Sequence, residues 1–165
     1  KNGNNLYNFY IKPELNPELS LYFKKLTGIS QEIVDNSRSN LSTIVDFLYI
    51  YKESHNIISW GPDLDIIIDD LNLKSIDHSV YKLEYIDFRD FLIVNGISPS
   101  GLTSGNCAIK IIGEDFTKYL YKDISLIKKI NPHNACYDVL SMYCVFIFLR
   151  EKLNALKFPK SRKSI

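Results

Sequence analysis

No charge of one sign dominates this chain: lysine plus arginine number 20 against 19 for aspartate plus glutamate, over 165 residues. A whole-molecule field that recruits polyanions is thereby excluded, and any anionic partner has to be met by a local site. Cysteine is scarce and odd in number, with Cys107, Cys136 and Cys144 each in an apolar stretch. Reduced core thiols are expected rather than a disulfide framework. No apolar run approaches the roughly 18 residues of a membrane-spanning helix. The opening KNGNN has no apolar signal-peptide core. Internal repeats and low-complexity segments are absent too. These absences leave one soluble, cytoplasmic domain without membrane association as the expectation, and its 45% hydrophobic content is ample for a core.

What is present reads as strands mixed with helices. LYNFYIKP alternates aromatic and polar residues up to Pro13, a strand pattern, and Asn2–Gly3 before it is a hairpin-turn signal. Pro17 opens the helical stretch PELSLYFKKL, which Gly28 ends. SQEIVDNS and NLSTIVDFLYIYKES have helical periodicity, with Asn40 as cap and Leu41, Ile44, Val45, Leu48 and Tyr49 as one apolar face. NIISW reads as a short buried strand and DLDIIIDDLNL as a helix. In KLEYIDFRDFLI, Asp87, Arg89 and Asp90 alternate with Tyr85, Ile86, Phe88 and Phe91, which predicts a strand with one wet face and a cross-paired arginine. NGISPSGLTS is a loop, GNCAIKIIGEDF a short helix closed by Gly113, and FTKYLYKDISLIKKI a linker with some helical character. The last helix is predicted from about Asn134 to Leu153, and KFPKSRKSI as a frayed basic tail. The class is α/β, with a domain over residues 1–153 and a tail over 154–165.

Two places set carboxylates where chemistry can use them. In ISWGPDLDIII a β-branched strand runs into Trp-Gly-Pro, and Asp63 and Asp65 stand in the first turn of a helix. Simple stabilisation of the helix N-terminus accounts for such acids, yet the end of a buried strand is also where α/β folds put their sites. In PHNACYD, His133 and Asp138 flank the start of the last helix. Inside a helix, five residues is about 140° of rotation, so the two share a face only if Pro132 holds His133 in the preceding loop. Asp138 then turns inward from the first turns and the imidazole arches over the same space. His55 and His78 lie in polar contexts and read as surface residues.

The order of these pieces, FYIKPELNPELSLYFKKLTGISQEIVD, then ISWGPDLDII, then HNACYD, resembles the DnaQ-like DEDDh 3′–5′ exonucleases. LTGISQ at Leu26–Gln31 and SWG at Ser59–Gly61 resemble the Eri1/KapD-type exoribonuclease branch in particular. The resemblance extends from Phe9 to Leu149. It implies a ribonuclease H-like fold, a central mixed sheet flanked by helices, and hydrolysis of phosphodiester bonds at single-stranded 3′ ends, RNA more than DNA. It also implies two divalent ions, Mg²⁺ or Mn²⁺, held by four carboxylates, with a histidine as general base. Carried onto this chain, Asp138 is the last metal-binding aspartate, His133 the base and Asp65 the second-motif aspartate. Asp63 stays open as the alternative to Asp65, because the spacing from Trp60 is one residue longer than expected. Thr27, Gly28, Ile29, Trp60 and Asn134 would face the substrate strand.

The chemistry agrees with that assignment. Phosphodiester hydrolysis needs an activated water and neutralised charge on the leaving oxygen, and clustered carboxylates are the hard ligands that Mg²⁺ and Mn²⁺ prefer. A histidine titrating near pH 6.5 can take the water's proton. The family's first motif, Asp-x-Glu on the first strand, has no counterpart in KNGNNLYN. The expectation is therefore a chain that starts partway into the domain, short of about 20–25 residues of strand and turn. Alone it should fold poorly and cleave nothing. The rival is a catalytically inactive exonuclease-fold module that binds nucleic acid or a protein partner.

Overall fold

A computed structural model describes residues 9–53, 57–78, 84–120 and 133–163. The Asn2–Gly3 turn, His55, Pro132 and residues 121–130 of the linker lie outside the described residues. In chain order the elements are β1 (Ile11–Lys12), α1 (Leu21–Thr27), α2 (Gln31–Asp35), β2 (Arg38–Ser39), α3 (Asn40–Glu53), β3 (Ile58–Ser59) and α4 (Asp63–Leu73). There follow β4 (Glu84–Asp87), α5 (Phe88–Val94), α6 (Cys107–Ile111), a 3₁₀ stretch (Glu114–Tyr119), α7 (Ala135–Lys152) and β5 (Arg162–Lys163). The chain divides into two compact units, residues 1–43 with 102–154 and residues 44–101 with 155–165.

In the first unit, short polar side chains fix where helices begin. Ser20 Oγ accepts the Phe23 N–H at 3.1 Å to start α1, and Ser30 Oγ accepts the Ile33 N–H at 3.2 Å to start α2. Gly28, at φ 73°, ends α1 by returning its N–H to the Lys24 carbonyl at 3.0 Å, in a left-handed conformation that glycine adopts without steric cost. β1 and β2 form a parallel pair with Ile11 opposite Arg38. The long helix α7 buries Cys136, Ser141, Cys144, Val145 and Leu149. It packs on α6 and on the 3₁₀ stretch through edge-on pairs, Phe116 with Tyr137 and Tyr119 with Phe148.

In the second unit, α4 turns Leu64, Ile68 and Leu71 inward at helical spacing, onto Ile44, Leu48 and Tyr85. The sheet order is β3-β4-β5. β3 runs parallel to β4, with Ser59 opposite Asp87, and β5 runs antiparallel to β4, with Arg162 opposite Tyr85. The carboxyl ends of β3 and β4 therefore lie at the same edge, and the Trp60–Pro62 turn and α5 spring from there.

Several expectations need correction. The strand pattern of LYNFYIKP yields only Ile11–Lys12 among the described residues, and those residues carry two small sheets rather than one central sheet. On α3 Ile44 and Leu48 of the expected face are buried and half-buried Phe47 and Tyr51 pack beside them, whereas Leu41, Val45 and Tyr49 are exposed. Asn40 is the first helical residue instead of the cap, and Ser39 Oγ accepts the Ser42 N–H. The predicted wet strand face at Asp87, Arg89 and Asp90 does not exist: the strand stops at Asp87, whose side chain caps α5, and the carboxylate is buried. Finally, KFPKSRKSI is not frayed over its described length. Lys157 accepts and donates through its backbone to the Asn95 amide, Phe158 lies against Phe91 at 5.5 Å, and Arg162–Lys163 form β5.

Candidate active site

In the first unit the mouth of α7 is built from four residues. Asn134 is buried, and its Oδ1 caps the helix by accepting the Cys136 N–H at 3.1 Å. His133, one residue earlier, is exposed and left-handed at φ 72°. Positive φ is uncommon outside glycine, although histidine takes it more readily than most residues, and here the His133 N–H lies 3.4 Å from Asp138 Oδ1. Asp138 sits in the first turns of α7 as expected, half-buried, and its other oxygen accepts a hydrogen bond from Ser104 Oγ at 3.0 Å. The link between His133 and Asp138 is through the backbone; among the described residues their side chains make no direct hydrogen bond.

Ser104 had no signal in the sequence, since it lies in a loop 34 residues away from Asp138. The loop is held by a reciprocal pair, Thr103 N–H to Asn106 Oδ1 at 2.7 Å and Asn106 N–H to Thr103 Oγ1 at 3.2 Å. It is docked by buried Ser141, one turn beyond Asp138 on the same face of α7. Ser141 Oγ accepts the Ala108 N–H at 3.1 Å and donates to the Gly105 carbonyl at 3.4 Å. Cys107 is fully buried beneath it, and desolvation lifts its thiol to about 11. Thr27, Gly28 and Ile29 form the turn after α1, with buried Thr27 Oγ1 donating to the Phe23 carbonyl and accepting the Ile29 N–H.

In the second unit, Ser59 Oγ donates to the Gly61 carbonyl at 2.8 Å and Gly61 takes φ 86°, so the chain turns sharply out of β3. Trp60 lies 6.0 Å from Phe88, ring to ring. Asp63 and Asp65 follow in the first turn of α4, which has no side-chain cap. Asp63 is exposed as a residue, yet the protein around its carboxyl removes enough solvent to raise its pKa, and nearby Asp87 adds to the rise. Asp65 is half-buried.

Asp87 is the acid that sequence reasoning misplaced. Its side chain is fully buried and takes Arg89 Nη2 at 2.6 Å, Arg89 Nε at 3.1 Å and Arg162 Nη1 at 3.2 Å. Burial pushes its pKa up, but the hydrogen bonds from Arg89 and the charges of Arg89 and Arg162 outweigh that and hold it below the usual carboxylate value. A carboxylate already neutralised by two guanidiniums is a structural group, not a ligand in waiting.

Asp138 and His133 thus fall in the first unit, and Asp63, Asp65 and Trp60 in the second. Among the described residues no group of three or more His, Cys, Asp or Glu gathers to hold a metal ion. The donors named here, Asp138 with Asp65 or Asp63, are fewer than the four that the resemblance implies, so the described residues do not make up a two-ion cage.

No family model and no curated protein sequence matches the chain. Solved structures do. The nuclease domain of 3′hExo, a DEDDh family member bound to rAMP, superposes with a TM-score of 0.66 at 18% identity, over 94% of this chain and 76% of that one. A full-length 3′-exonuclease gives 0.67 at 19% identity, over 96% of this chain and 51% of the other. A 3′-exonuclease in specific recognition of the 3′ end of a histone mRNA stem-loop gives 0.66 at 16%, over 97% and 56%. The chain thus spans about half of the two longer proteins. Over most of its length, it has the fold of the DEDDh 3′-exonucleases.

Proposed function

We propose that the protein is a metal-dependent 3′–5′ exonuclease acting on single-stranded 3′ ends, RNA in preference to DNA. The observation that carries this reading is the mouth of α7. There an exposed histidine and a half-buried aspartate, oriented by Ser104 and a backbone N–H, stand together on an exonuclease fold. In this reading His133 takes a proton from water, its exposure leaving the imidazole free to meet a 3′ end. Asp138 and Asp65, or Asp63 in its place, would ligate Mg²⁺ or Mn²⁺, which when bound neutralises charge on the phosphate and the leaving oxygen. The Thr27–Ile29 turn, Trp60 and Asn134 would face the strand, although Asn134 already spends its side-chain oxygen on the cap. The RNA preference is supported by relatives of like fold that bind rAMP and a histone mRNA 3′ end.

The test is trimming of a 3′-labelled oligoribonucleotide by the full-length protein in Mn²⁺. His133→Ala should cut the rate by about 10²–10⁴-fold, the usual worth of a general base. Equal rates in wild type and variant overturn its role as base. The second reading, a binding module without catalysis, rests on the shortfall of carboxylates among the described residues. It predicts that wild type binds the oligonucleotide and leaves it intact.

A further inference from the structure

The geometry points to Arg89 as the positioning residue of the Trp60–Pro62 turn: held by Asp87, its guanidinium is the surface on which Gly61 rests, and it sets how the turn delivers Asp63 and Asp65 to α4. Two independent observations meet here. The first is that the Arg89 guanidinium is oriented. Asp87 grips it through Nε and Nη2, and the Arg89 N–H is also bound by Asp87 Oδ1 at 2.9 Å, so side chain and backbone are fixed by one buried carboxylate. A planar fork held in this way has little rotational freedom left. The second is that Gly61 fits closely against it. A methyl group built on Gly61 would lie 3.1 Å from Arg89 Nη2 and 3.5 Å from Cζ. Since Gly61 is buried at φ 86°, no other residue fits there without strain.

The turn is therefore supported on two sides by consecutive residues of α5. Phe88 backs the Trp60 ring and Arg89 backs Gly61. β3 and β4 pair in parallel with Ser59 opposite Asp87, which brings turn and support to the same edge of the sheet. With Ser59 Oγ bound to the Gly61 carbonyl, the turn has a hydrogen bond within it and a cation beneath it. Arg89 bears on catalysis only through the aspartates, and that consequence rests on the exonuclease reading; its bearing on the turn does not.

Trp60 is the single tryptophan of the 165-residue chain, so the turn carries its own reporter. The experiment compares acrylamide quenching of Trp60 emission in wild type, Arg89→Met, Arg89→Lys and Lys74→Met, with thermal unfolding measured in parallel. Lys74 pairs with Asp70 near the far end of α4 and serves as the control. Arg89→Met should raise the quenching constant about twofold and red-shift the emission, as expected when a locally supported segment opens more often. Arg89→Lys keeps the charge and loses the fork, so it should fall between Arg89→Met and wild type. Lys74→Met should match wild type whatever its melting temperature. If Arg89→Met does not fold, Arg89→Lys decides the matter. A folded Arg89 variant with wild-type quenching overturns the proposal, and so does an equal change in Lys74→Met. If quenching changes while 3′-end trimming does not, Arg89 still positions the turn, and the exonuclease role of Asp63 and Asp65 is what fails.

Discussion

Replacing Asp87 by asparagine should cost the fold about 2 kcal/mol at neutral pH. The figure follows from what asparagine keeps and what it loses. Its side-chain oxygen can still accept the Arg89 N–H, so the cap on α5 survives. The ion pairs with Arg89 and Arg162 do not survive. Breaking a fully buried pair costs about 3–5 kcal/mol, but these guanidinium side chains are 41% and 44% exposed and regain water once released, which brings the loss down. At about 2–4 °C per kcal/mol for a chain of this size, the melting temperature should drop by about 4–8 °C. Asp87→Ala should cost about 1 kcal/mol more, because it also removes the cap. The measurement is thermal unfolding followed by Trp60 emission at pH 7 and again at pH 3. In the folded protein Asp87 titrates below its ordinary value, so its stabilisation is complete above the unfolded pKa of about 3.9 and is lost as pH falls through the folded value. The gap between wild type and Asp87→Asn should therefore narrow in acid. A gap that widens at pH 3, or no difference at pH 7, refutes the reasoning.

The other expectations concern separate parts of the molecule. Ser104→Ala removes the hydroxyl from Asp138 and should cost about 1 kcal/mol in unfolding free energy, the usual net worth of an intramolecular hydrogen bond. Ser104→Thr keeps the donor and should recover most of that loss in the same melt. Cys107 and Cys144 are buried, their thiols pushed up to about 11 and about 12 chiefly by desolvation. At pH 8 their thiolate fractions are at or below about one in a thousand, so mass spectrometry should find neither alkylated until denaturant is added; rapid native labelling of Cys107 contradicts the burial. Truncation after Asn154 removes β5, the Arg162 pairs with Asp87 and Asp90, and the Phe158 contact with Phe91. Its melting temperature should fall further than that of Asp87→Asn, and a truncated protein as stable as wild type contradicts the docked tail.

How much of this was legible in the sequence depended on how local the signal was. The sequence predicts the last helix from about Asn134 to Leu153, and it is Ala135–Lys152 with Asn134 as cap, because the cap and a long apolar pattern occupy one continuous stretch. Gly28 and Gly113 end their helices as expected, both at positive φ. The sheets were far less readable. Among the described residues, four of the five strands are two residues long, too short for an alternating pattern, and each exists only through a partner elsewhere in the chain. β5 is the extreme case. A basic segment reads as a solvated end until Asp87 and Asp90 appear opposite it, with Asp90 separated from Arg162 by 72 residues.

The two informative aspartates show why the candidate site was only half legible. Asp87 and Asp138 both stand at helix N-termini beside apolar residues, and nothing in either local pattern tells their fates apart. In EYIDFRDF the alternation continues through Asp87, which favours a strand reading; the decisive facts are that a helix starts at Phe88 and that β5 supplies an arginine. Those facts make Asp87 a neutralised, sealed carboxylate whose work is to hold other residues. Asp138 accepts from a hydroxyl and a backbone N–H, both neutral donors, and keeps part of its surface in solvent. Neutral donors orient a carboxylate without setting an opposite charge against it, and in that respect Asp138 differs from Asp87. The spacing from His133 draws attention to Asp138, but Ser104, 34 residues upstream, is a partner that only the folded chain brings to it.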